Sequence, residues 1–133
     1  MAMNPEVKAA WVERLRSLPN DMQARSTLKE WESGKMCCLG VLTEMAVEQG
    51  IIEPGVEIDV SDFSKVTQYT DEVGEGTSHW YGLTPPSVVK WAGMETNNPD
   101  FVHPEHGQVN LAYLNDHKRF TFDQIADEIE VNL

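Results

Sequence analysis

Long apolar runs are absent from this sequence. None approaches the roughly 18 consecutive residues of a membrane-spanning helix, so no such helix is expected. Residues 1–7 have neither a basic start nor an apolar stretch, so no export signal is expected. Cysteine is scarce: only Cys37 and Cys38 occur, and they are adjacent. Neighbouring cysteines rarely bridge each other, because the peptide between them resists disulfide geometry. Free thiols belong in a reducing compartment, which points to the cytoplasm. Also missing are GxGxxG, P-loop, GxSxG, CxxC and HExxH patterns, and with them the commonest signatures of nucleotide, acyl-transfer and zinc chemistry. Basic residues are few, 10 against 22 acidic ones.

What is present is a strongly acidic chain of 133 residues with net charge −12. That length suits a single globular domain spanning 1–133. Such a chain buries roughly 68% of its unfolded surface, so its stability requires neither metal nor disulfide, and no cofactor is expected. The charge is uneven. Residues 1–35 carry six basic and five acidic side chains, whereas Glu44 to Glu75 contain nine carboxylates and one lysine, Lys65. This field repels phosphates and disfavours direct nucleic-acid binding. It suits solubility, or a basic protein partner.

The periodicity predicts an α+β fold of four or five helices around a small antiparallel sheet. Asn4, Pro5 and Glu6 form a helix start, followed by Val7, Trp11, Leu15 and Leu18 on one face. Residues 21–35 are ambiguous between short helix and extended chain, ending in a turn at Glu32-Ser33-Gly34-Lys35. Cys38, Val41, Leu42, Met45 and Ala46 mark a buried helix, with Gly50 at its left-handed stop. Val56, Ile58 and Val60 alternate with Glu57 and Asp59, the pattern of a strand. Residues 65–70 and 77–83 read as a hairpin joined through an exposed turn at 71–76. A short helix begins near Thr84-Pro85 and stops at Gly93. Residues 95–108 read as loop, and 111–115 as a helical turn. Thr121 and Gln124 make a capping box, and Phe120 with Ile125 a hydrophobic staple, at the start of the last helix.

Candidate chemistry is sparse. Cys37 or Cys38, at a helix start, could serve a cysteine-dependent hydrolase or transferase if His79, His103, His106 or His117 came near, with Asn115 or Asp116 to orient it. Cys38 also falls on an apolar face, where cysteine packs as a small hydrophobe, and packing is the favoured reading. His103-Pro104-Glu105-His106 matches no standard zinc spacing, and Asp59, Asp62, Asp71, Glu72 and Glu75 lack the calcium-loop pattern, so no metal is expected. The favoured binding surface is aromatic and acidic: His79, Trp80 and Tyr81, bordered by Asp71, Glu72 and Glu75. It suits a protein interface or a stacking pocket for a nucleobase. A nucleotide ligand would further need Arg14, Arg16, Arg25 or Lys35 in the pocket.

The stretch Lys35-Met36-Cys37-Cys38-Leu39-Gly40-Val41-Leu42 resembles the CCLGVL signature of a family of small proteins encoded by tailed bacteriophages and prophages. Other parts resemble it in the same order. They are the Asn-Pro-Glu opening leading to Arg16-Ser17, Pro-x-x-Val-x-Trp-Ala-Gly over 86–93, Leu114-Asn115-Asp116, and Phe-x-x-Ile-Ala-Asp-x-Ile over 122–129. The chain departs from the family at Gln23-Ala24-Arg25-Ser26-Thr27, where relatives tend to be glycine-rich, and at Thr43, where another cysteine often stands. The resemblance implies a phage setting in a bacterial host and supplies no catalytic residues. The expectation is an accessory protein that binds a host component, such as a defence factor, without catalysis. A nucleotide-signal-binding protein and a cysteine enzyme are the alternatives.

Overall fold

The structure, a computed structural model, describes residues 3–61, 64–73 and 76–133. It is an α+β fold; among the described residues five α-helices accompany two small antiparallel sheets. Helix α1 (Pro5–Ser17) is capped by Asn4, whose Oδ1 accepts from the amides of Glu6 and Val7. Its buried face, Val7, Trp11, Val12 and Leu15, lies against α2 (Cys38–Glu48) and α5 (Phe122–Asn132). Helix α2 is central and almost wholly buried. It ends in a Schellman turn: Ile51 N–H donates to Ala46 O at 2.9 Å, Gly50 N–H to Val47 O at 3.0 Å, and Gly50 takes φ +75°. The capping box of α5 is formed in both directions between Thr121 and Gln124.

The three-stranded sheet runs β1 (Val56–Ser61), β2 (Ser64–Val73), β3 (Gly76–Trp80) in sequence order. The hairpin strands reach further toward each other than the pattern at 71–76 predicts, so Asp71 and Glu72 lie in β2 and not in an exposed turn. Asp71 is buried, at 3% exposure. Its carboxylate accepts from Ser87 N–H and from Ser87 Oγ, both at 2.6 Å. Ser87 stands in the first turn of α3 (Pro86–Ala92), whose own N-cap, Pro85, has no side-chain donor or acceptor to offer. A strand thus supplies the cap that the helix lacks.

One further correction concerns local structure. Residues 95–108 are not all loop: β4 (Asp100–His103) and β5 (Gly107–Asn110) form a tight hairpin around Pro104. Asn110 then caps α4 (Leu111–Asp116) by accepting from Tyr113 N–H at 2.8 Å. Residues 23–36 form neither a helix nor a full strand. Single bridges join Gln23 and Lys29 to Met36 within the segment and Glu30 to Val66 of β2, and Leu28 O accepts from Cys37 N–H at the start of α2.

Candidate interaction surface

The two thiols come first, and the structure removes them from the surface. Cys37 is the N-cap of α2; its Sγ accepts from Gly40 N–H at 3.4 Å. Cys38 is fully buried, with Sγ 3.9 Å from Leu111 O. Burial pushes the Cys37 thiol up to about 12 and the Cys38 thiol well above its ordinary value, so neither is a thiolate at neutral pH. The helix N-terminus does not outweigh the loss of water. Each histidine is engaged elsewhere. His79 meets Thr70 Oγ1 at 3.1 Å, and His117 leans on Tyr113. His103 and His106 stack on each other and meet Phe120 edge-on. His103 Nδ1 accepts from the amides of Glu105 and His106, so Nε2 carries the proton toward Glu128, 3.3 Å away. Among the described residues, no three histidine, cysteine or acidic side chains gather as metal ligands.

Asn115 is a fastener and orients no nucleophile. Fully buried, its Oδ1 accepts from Gln23 Nε2 at 2.7 Å and Cys38 N–H at 3.3 Å, while Nδ2 donates to Ala24 O and to Asp116 Oδ1. Asp116 Oδ1 also accepts from Ser26 N–H, fixing a residue with φ +66°. Together they bind the irregular 23–36 segment to α2. Gly40 completes the crossing: a Cβ there would stand 1.7 Å from Leu28 O. The residues that carry the CCLG resemblance are therefore packing residues in this chain.

The described part of the acidic and aromatic surface is divided by the sheet. Cross-strand partners share a face, so Trp80, opposite Tyr69, lies on the helix side, half-buried, with Nε1 donating to Ser78 Oγ. His79 pairs with Thr70 on the outer side and is exposed, as is Glu72. Tyr81, just past β3, is exposed, and its carbonyl accepts from Leu28 N–H and Thr27 Oγ1. Glu75 and Asp62 lie outside the described residues. Of the basic groups a nucleotide would need, Arg14 is paired with Glu48, and Arg16 with Asp127 and Glu130. The Arg14 and Arg16 guanidiniums are raised by those hydrogen bonds, and Glu48 is lowered by its bond to Arg14.

Sequence reasoning missed two features. The first is a clamp between helix and sheet: Lys29 Nζ lies 2.6 Å from Glu44 Oε1, and Tyr69 OH donates to Glu44 Oε2 at 2.8 Å. Burial, and then the Glu44 charge, push the Tyr69 hydroxyl above its ordinary range. A cavity of about 250 Å³ opens beside them under Trp31, Val47 and Pro54, and among the described residues its charged lining is this already paired lysine and glutamate. The second is the outer side of β1. Tyr69, Thr67 and Asp71 mark the side of β2 that faces the helices. Ile58 and Val56 stand opposite Val66 and Gln68, on the other side. The apolar stripe of β1 therefore points away from the helical core. Val56 is 56% exposed, and Val60, at the bulge that follows Asp59, is 44% exposed. The alternation that announced this strand contained the signal, but not which way the stripe would face.

These helices and this sheet belong to a defined class: the profile of the family described as Domain of unknown function (DUF8296) matches residues 3–133. The chain belongs to that family. Compared with the curated proteins it finds no match, and the same holds for the solved structures.

Proposed function

We propose that this chain is an accessory protein of a tailed bacteriophage or prophage that acts in the host cytoplasm by binding a host protein and performs no catalytic step. The carrying observation is the sheet side that the helical core does not use, where Val56 stands exposed on the same side as Glu72; Val60, at the bulge, is exposed as well, and Glu57 and Asp59 flank these valines along the strand. Apolar residues grouped inside a charged rim make an association surface. The raised, buried thiols support the reading, since among the described residues neither is hydrogen-bonded to a histidine. Among those residues no helix is long and apolar enough to cross a membrane. The resemblance to phage proteins supports the setting.

The test is affinity capture from bacterial lysate with the parent protein and with a Val56→Asp/Val60→Asp variant, assaying retained proteins and small molecules together. The expected result is one protein held in stoichiometric amount by the parent and lost by the variant, with both melting alike. Retention of a nucleotide and no protein would replace this reading.

A further inference from the structure

The open edge of β1 has a chemistry that specifies its occupant. Trp31 N–H donates to Lys65 O at 3.1 Å, and Thr67 N–H donates to Lys29 O at 2.9 Å. The backbone of β2 at 65 and 67 therefore points toward residues 29–31, and at 66 and 68 it points toward β1. Opposite 66 and 68 stand Ile58 and Val56, whose peptide groups are used inside the sheet. By alternation the peptide groups of Glu57 and Asp59 turn outward, and among the described residues they have no backbone partner. The two residues that offer edge hydrogen bonds thus also carry carboxylates. Glu57 has one ion pair, a 3.5 Å contact with Lys65, and Asp59 has none among the described residues.

We propose that this edge receives an extended segment of the partner protein by strand addition, and that the segment alternates basic and apolar residues. The inference rests on the binding role proposed above and adds the chemistry of the partner. Residues directly opposite in a sheet share a face, so side chains set against Glu57 and Asp59 meet carboxylates, and those between them meet Val56 and Ile58. Lysine or arginine suits the first positions and valine, isoleucine or leucine the second. A second copy of this chain does not fit. Pairing β1 with β1 would set carboxylates against carboxylates between two bodies of charge −12 each. Charged side chains on an edge strand also guard it against aggregation. A guarded edge gains nothing from two solvent-exposed valines beside its open amides.

Three labelled peptides test this by fluorescence anisotropy. One is an alternating Arg-Val-Lys-Val-Arg-Val; the second has the same residues in blocks, Arg-Lys-Arg-Val-Val-Val; the third is the alternating peptide N-methylated at every second amide. Binding of the alternating peptide should be roughly tenfold tighter than that of either control, since each control forfeits register or hydrogen bonds. Hydrogen exchange of the Glu57 and Asp59 amides should slow when it binds. A Glu57→Lys/Asp59→Lys protein should lose the preference while melting like the parent. Equal binding of all three peptides, or unchanged exchange at those amides, overturns strand addition. If that variant still captures the parent's lysate partner, the edge is not the contact and the binding role stands. If the parent captures no protein at all, the binding role itself fails.

Discussion

Single residues decide whether the centre of this molecule assembles. At Gly40 the Leu28 carbonyl occupies the space a Cβ would take, and backbone cannot step aside as a flexible side chain can. Gly40→Ala should therefore cost about 3 kcal/mol or more in urea unfolding, despite the helix preference of alanine. The thiols make a second test, with a sign fixed by their burial. Folding holds the Cys37 proton until about 12, against an ordinary value of 9.0, and holds that of Cys38 well above the same value. Below pH 9 both states keep these protons and the thiols do not bias folding. Above it the unfolded chain releases them first, so stability should fall from pH 9 toward 12, by up to about 1.4 kcal/mol per thiol for each pH unit. Urea midpoints across that range measure the slope, and Cys37→Ser should make it shallower. A thiol reagent at pH 7.5 should leave the native protein unlabelled and modify both cysteines once it is unfolded; rapid native labelling would reopen the cysteine-enzyme reading.

Between elements, the contacts show why part of the fold was legible in sequence and part was not. Elements with local signals were read correctly: Asn4-Pro5 for α1, the apolar face and Gly50 for α2, Thr121 with Gln124 for α5. Each signal lies within one or two turns of what it specifies. Segment 23–36 was ambiguous because its order comes from Asn115 and Asp116, some ninety positions away in the chain. The β4–β5 hairpin was hidden by its brevity and by proline and asparagine, which read as loop. Asp71 was misplaced because a carboxylate beside glycines and glutamate reads as an exposed turn; its partner Ser87 belongs to another element. The valines and carboxylates of β1 were legible in charge and alternation; the side of the sheet on which they stand was not, because it depends on the pairing with β2. The α3 cap yields the prediction at this scale. Asp71→Ala removes both hydrogen bonds to Ser87 and leaves a part-buried amide unpaired, which should cost about 2 kcal/mol in chemical denaturation. Glu72→Gln, an exposed neighbour, should cost almost nothing. Any binding loss on changing Asp71 would therefore report damage to α3 before it reports a lost contact.

Across the whole molecule, two electrostatic effects oppose each other, and their balance is measurable. Arg14 with Glu48, and Arg16 with Asp127 and Glu130, tie α1 to α2 and to α5 through side chains that stand largely in solvent. Exposed pairs of this kind contribute little to stability, and salt weakens them. Against them stands the self-repulsion of a small body with net charge −12, concentrated by the carboxylates of 44–75. That repulsion acts over many pairs at distances near or beyond the ~10 Å Debye length at 0.1 M salt, so screening removes it more completely than it removes pairs in direct contact. The repulsive sum should win. Raising sodium chloride from about 0.02 to 0.5 M should lift the melting temperature by a few degrees, and a neutral osmolyte control should separate screening from general exclusion effects. A fall in melting temperature would mean that the helix-to-helix pairs dominate. The same screening should weaken capture of a basic partner, because complementary charge chiefly sets the rate of encounter. Stability and binding are then expected to move in opposite directions with salt, and this divergence separates an acidic surface kept for a partner from one that serves only solubility.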